Sequence, residues 1–70
     1  MSEYVVIYEQ ADDGEWGAYM PDLPGVVALG GTQPEAADRI QEALAAYAED
    51  LRERGETLPT PHHLAGTVAA

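Results

Sequence analysis

Seventy residues with thirteen acids, three arginines and no lysine carry a formal net charge of −10 at pH 7 and a pI near 4.1. That balance speaks against direct nucleic-acid binding and against docking on anionic lipid, since both rely on basic side chains at phosphates. The length, 7.5 kDa, holds one domain, and the lack of cysteine removes disulfides and thiolate zinc sites as supports for a small core.

Glu3 to Gln10, Glu-Tyr-Val-Val-Ile-Tyr-Glu-Gln, is β-branched and aromatic between acids and predicts a strand. Ala11-Asp12-Asp13-Gly14-Glu15 follows, where Asp13-Gly14 offers the positive-φ position of a tight hairpin. Trp16 to Met20 predicts a second strand. In Pro21-Asp22-Leu23-Pro24-Gly25, Pro24 presets φ and Gly25 suits the left-handed position of a type II turn. Val26 to Leu29 predicts a third strand, closed by Gly30-Gly31, which completes an antiparallel meander.

Thr32-Gln33-Pro34-Glu35 is a capping box with proline in the first turn, where a missing N–H costs nothing. The helix is predicted from about Gln33 to Arg54, stopped by Gly55. Its apolar stripe is Ala36, Ile40, Leu44, Tyr47 and Leu51, flanked by Ala37, Ala43 and Ala48. Glu35–Arg39 and Asp50–Arg54 stand at i,i+4 on the polar side. An extended connector over about 56–63 then leads to a short fourth strand over about 64–69. The fold class is α+β, one domain over 1–70.

Along the first strand Tyr4, Val6 and Tyr8 alternate with Val5 and Ile7, and Trp16, Ala18 and Met20 alternate with Tyr19. Both sheet faces are therefore apolar, but one helix covers one face. Either the aromatics of the open face pack on each other, or that face or an edge strand is a protein contact. Twelve alanines dilute the core, so a homodimer or higher oligomer is expected. Met1-Ser2-Glu3 starts no signal peptide and no run approaches the ~20 apolar residues of a membrane span. No membrane association is expected, and the location expected is cytoplasmic.

An enzyme finds little to work with. No glycine-rich phosphate loop is present, and Ser2 is the single serine, at the terminus. The adjacent His62 and His63 face opposite ways on extended chain and make a poor metal clamp, so they are expected to be solvated. Asp12, Asp13 and Glu15 suggest a magnesium cluster by type, but a hairpin tip is not the rigid floor such carboxylates need. No catalytic residue, metal or cofactor is expected.

Tyr19-Met20-Pro21-Asp22-Leu23-Pro24-Gly25-Val26, followed by Gly30-Gly31-Thr32-Gln33-Pro34-Glu35-Ala36, resembles the HicB family, antitoxins of HicA–HicB toxin–antitoxin pairs. The family shows a Tyr-x-x-Asp-Leu-Pro-Gly-Cys turn, a Gly-x-Thr-x-x-Glu-Ala helix start and a long amphipathic helix. The opening strand and the acid-Gly hairpin also fit, so the likeness spans roughly residues 3–61. Val26 stands where the family often has cysteine. Many members continue into a DNA-binding module, for which a chain ending at Ala70 leaves no room, so operator binding is not carried over.

The resemblance implies a β-β-β-α-β domain of partial RNase H-like type without nuclease activity. It also implies a HicA-like toxin as partner: a small basic ribonuclease whose RNA-binding face and active site the antitoxin covers. Composition supplies an independent reason, because residues 1–32 hold six acids and no basic residue. Asp12, Asp13, Glu15, Trp16, Tyr19 and Asp22 are the candidate partner-binding residues, with Trp16 alternatively a core residue. Pro21, Asp22, Leu23, Pro24, Gly25, Thr32 and Glu35 are structural. An alternative function is an orphan oligomeric interaction module for a different basic partner.

Overall fold

The computed structural model describes residues 3–70. Ser2, set aside above as a nucleophile, lies outside them. Three strands and a helix follow in chain order: β1 (Ile7–Gln10), β2 (Trp16–Tyr19), β3 (Val27–Gly30) and α1 (Gln33–Glu53). The strands form one antiparallel sheet in the order β1-β2-β3. Ile7 lies opposite Tyr19, and Tyr19 opposite Val27.

Turn chemistry sets this register. In the hairpin, the Gly14 N–H donates to the Ala11 carbonyl at 2.9 Å and the Ala11 N–H to the Glu15 carbonyl at 2.8 Å, with Gly14 at φ +92°. In the second turn, the Val26 N–H donates to the Leu23 carbonyl at 3.0 Å, with Pro24 between them and Gly25 at φ +97°. That is the type II geometry expected of Pro-Gly. Leu23, carried by this turn, is 1% exposed and caps the core with Met20 and Val26.

Strand ends depart slightly from the expectation. β1 begins at Ile7 and not Glu3, and β2 ends at Tyr19 and not Met20. The cause is local: the Met20 carbonyl accepts the Leu23 N–H at 3.1 Å as the chain turns, and Pro21 has no N–H to offer. Glu3 to Val6 consequently lose their ladder partner.

α1 starts and stops as its caps dictate. The Glu35 N–H donates to the Thr32 hydroxyl at 3.2 Å, and the Glu35 carboxylate accepts the Gly31 N–H at 2.8 Å, one residue earlier than the usual reciprocal bond. At the other end Gly55 adopts φ +74°, its N–H bonding the Arg52 carbonyl and the Glu56 N–H the Leu51 carbonyl. These two bonds form a Schellman motif. The helix lies across β3 and β2. Ala36, Ile40 and Leu51 are buried, while Leu44 and Tyr47 are half-buried against the core. Gly30 lets helix and sheet meet: a Cβ there would lie 2.7 Å from the Ala36 backbone nitrogen.

Residues 56–70 carry no regular structure. The fourth strand expected over 64–69 is not formed, and Leu64 and Val68 stand 98% and 95% exposed. Apolar alternation alone does not make a strand; the backbone N–H and C=O groups need a neighbouring ladder, and none lies beside them. The connector before the tail is anchored. Leu58 packs on the core, the Tyr4 hydroxyl donates to the Pro59 carbonyl, and His63 reaches Asp22.

Candidate partner-binding surface

Strand alternation and register send Ile7, Glu9, Gly17, Tyr19, Val27 and Leu29 to the sheet face opposite the helix. Tyr19, Val27 and Leu29 are 38%, 63% and 69% exposed. Gly17 sits between Glu9 and Leu29 in the register. Its missing side chain leaves a shallow hollow of about 210 Å³, with Leu29 and the acids Glu9 and Glu15 among its walls. An apolar patch is thus bordered by carboxylates.

Among the described residues, the acids at the hairpin end of this half have no cationic partner. Every ion pair among the described residues involves a helix-side arginine or His63. Arg39 pairs with Glu35 and donates to the Leu29 carbonyl at 2.9 Å, while Arg52 and Arg54 pair with Glu49, Asp50 and Glu56. Glu9, Asp12, Asp13 and Glu15 appear in none of these pairs and are exposed. Asp13 accepts the Glu15 N–H at 3.0 Å, which fixes the hairpin tip. Negative potential therefore concentrates at the hairpin end of the open face.

Of the six residues selected from sequence, Asp12, Asp13, Glu15 and Tyr19 lie on accessible surface. Trp16 starts from the opposite face, although part of it also lines the hollow at Gly17. It alternates onto the helix side with Ala18 and packs, half-buried, against the core. Asp22 is turned inward, its side chain 4% exposed and its carboxylate held by His63. Burial alone would raise its pKa, but bonds from the His63 ring and from the His62 and His63 backbone hold it below its ordinary value. Val27, Leu29 and Glu9 were missed. The alternation Val27-Ala28-Leu29 carries the signal for the first two, but only the β2–β3 register shows that they flank Tyr19 and Gly17.

The profile of the family described as HicB-like antitoxin of bacterial toxin–antitoxin system matches residues 4–70. The chain belongs to the HicB-like antitoxin family. It is also 39% identical over 57 residues to the UPF0150 protein Ta0767 of Thermoplasma acidophilum, a match covering 81% of this chain and 83% of that protein. Membership supports an antitoxin role, with a toxin as the implied partner. No helix among the described residues is long and apolar enough to cross a membrane.

Proposed function

We propose that this HicB-like chain binds a basic, HicA-like ribonuclease toxin and neutralises it by covering its RNA-binding face and active site. The observation that carries the reading is the open sheet face, where Tyr19, Val27 and Leu29 are exposed beside the uncompensated carboxylates of Glu9 and Glu15. A protein surface built to hold RNA phosphates is basic, so it meets complementary charge here, and exposed apolar side chains supply the dehydrated centre. The role is non-enzymatic and cytoplasmic: the chain inhibits by occupying a surface.

The test pairs this protein with a HicA-like basic ribonuclease, sought first in the reading frames beside its own. Co-expression restores growth that the ribonuclease alone arrests, and the purified protein blocks RNA cleavage at a fixed stoichiometry. Undiminished cleavage with excess antitoxin, or the absence of a stable complex on gel filtration, overturns the reading.

A further inference from the structure

Gly14, Gly25 and Gly55 adopt positive φ, and Gly30 lies against the Ala36 backbone. Gly17, in the middle strand of the sheet, has neither reason to be glycine. A Cβ there would meet Leu29 Cδ2 at 3.7 Å and the Glu9 carbonyl oxygen at 4.0 Å, both ordinary contacts. The register runs through it without a bulge, Glu9 opposite Gly17 and Gly17 opposite Leu29. Glycine inside a strand weakens it, and where no bulge or bend uses it, it marks the close approach of another group.

The open face around Gly17 is built in two rows. Ile7, Tyr19 and Val27 form a filled row, and Glu9, Gly17 and Leu29 form a row with an empty centre. Strands run about 4.8 Å apart, so the backbones of Glu9 and Leu29 stand roughly 10 Å from one another across Gly17. The result is the hollow of about 210 Å³. Leu29 makes one wall apolar and Glu9 lines the other, while Glu15, two positions before Gly17, adds a second acid at the hairpin end. No cation among the described residues pairs with either carboxylate.

On the reading that the open face receives the toxin, we infer that the hollow at Gly17 is a socket for one arginine side chain of that partner. The stem lies over Gly17 against Leu29, and the guanidinium sits between Glu9 and Glu15. A long basic side chain matches both halves of the hollow, because its stem covers apolar surface while its head keeps polar company. Arginine fits better than lysine. Its guanidinium is more weakly hydrated than an ammonium, and its fork of donors serves two carboxylates at once. An apolar side chain seated there would instead strip water from two carboxylates and offer them no partner. The empty place at Gly17 thus gives the basic partner one fixed point of register on a face that otherwise offers apolar contact and diffuse charge.

The test uses the full chain. Gly17→Val fills the socket and Gly17→Ala fills part of it, neither changing any charge. Circular dichroism should show both variants folded, the alanine variant melting no lower than the parent. Both should bind the HicA-like ribonuclease more weakly, the valine variant by about tenfold or more, chiefly through faster dissociation. A second probe needs no toxin. N-acetylarginine amide, titrated into the ¹⁵N-labelled chain, should shift the amides of Glu9, Gly17 and Leu29 saturably at roughly millimolar concentration. The uncharged citrulline analogue should produce no such shift, nor should the arginine probe on Gly17→Val. Folded variants that hold the ribonuclease as tightly as the parent overturn the socket. So does a parent blind to the arginine probe, or a shift shared by citrulline or by Gly17→Val. If the ribonuclease does not bind the parent at all, the proposed function fails, and the arginine titration still decides the socket.

Discussion

The imidazole Nδ1 of His63 lies 2.7 Å from the carboxylate of Asp22, forty-one positions earlier in the chain, and the His63 backbone N–H donates to the other carboxylate oxygen at 3.2 Å. The pair fastens the C-terminal connector to the turn that carries Leu23 into the core. The Asp22 carboxylate is therefore engaged within the fold, and His63 is no solvated bystander.

This clasp has a defined pH signature. The Asp22 pKa is lowered in the fold, so the carboxylate contributes stability above its ordinary value of 3.8, and that contribution is lost as pH falls through the lowered value. Asp22→Asn keeps the shape and removes the charge. Urea titrations of parent and variant should differ above the ordinary carboxylate range and converge in more acid solution. A gap that persists unchanged to about pH 2 would show that the charge of Asp22 is not what the clasp uses.

Two glycines of the sheet should respond oppositely to alanine. At Gly30 a methyl group meets the Ala36 backbone at 2.7 Å, and a helix backbone cannot step aside as a flexible side chain does. Gly30→Ala should destabilise by about 1–3 kcal/mol, the usual range for overpacking. At Gly17 the nearest atom is Leu29 Cδ2 at 3.7 Å, ordinary contact, so Gly17→Ala should be neutral or slightly stabilising. Thermal melts of the two variants provide the comparison. Equal destabilisation would mean that the close approach of helix and sheet is not as described.

Local chemistry explains which parts of this fold were legible in the sequence. Asp13-Gly14, Pro24-Gly25, Thr32 to Glu35 and Gly55 each determine their turn or cap through one residue's φ or one side-chain oxygen, and all four occur as expected. Strand 64–69 was not legible, because a strand exists only with its neighbour. Trp16 was selected by residue type, although its alternation with Tyr19 already set it toward the other face, whereas the orientation of Asp22 depends on a contact forty-one positions away. No local pattern reports such a contact.

The division between core and tail sets the stability of the monomer. Ile40 is 3% exposed within the cluster formed by Ala18, Met20, Leu23, Val26 and Ala36. Ile40→Ala should cost about 2–5 kcal/mol through lost burial and the cavity left behind. Leu64→Asp should leave the dilute melting temperature unchanged, since Leu64 has nothing to lose at 98% exposure. Differential scanning calorimetry at low concentration measures both. A destabilising Leu64→Asp under monomeric conditions would mean that the tail packs on its own domain.

Affinity for the toxin should separate into a steering part and an anchoring part. Glu9, Asp12, Asp13 and Glu15 are exposed, with no cation paired to them among the described residues, so their field extends into solvent. Charge reversal at Asp12, Asp13 and Glu15 should slow association and flatten its salt dependence while changing dissociation little. Tyr19 stands between Ile7 and Val27 on the open face. Tyr19→Ala should leave the fold intact and speed dissociation roughly thirtyfold, corresponding to about 2 kcal/mol for a central aromatic anchor. Trp16→Ala behaves differently, because Trp16 packs on the core: the free variant melts earlier, and any loss of affinity follows from loss of fold. Stopped-flow association across a salt series, with circular dichroism of each free variant, separates these effects. If association ignores both salt and the three reversals, electrostatic steering is wrong. If folded Tyr19→Ala binds as tightly as the parent, the toxin does not use the open face.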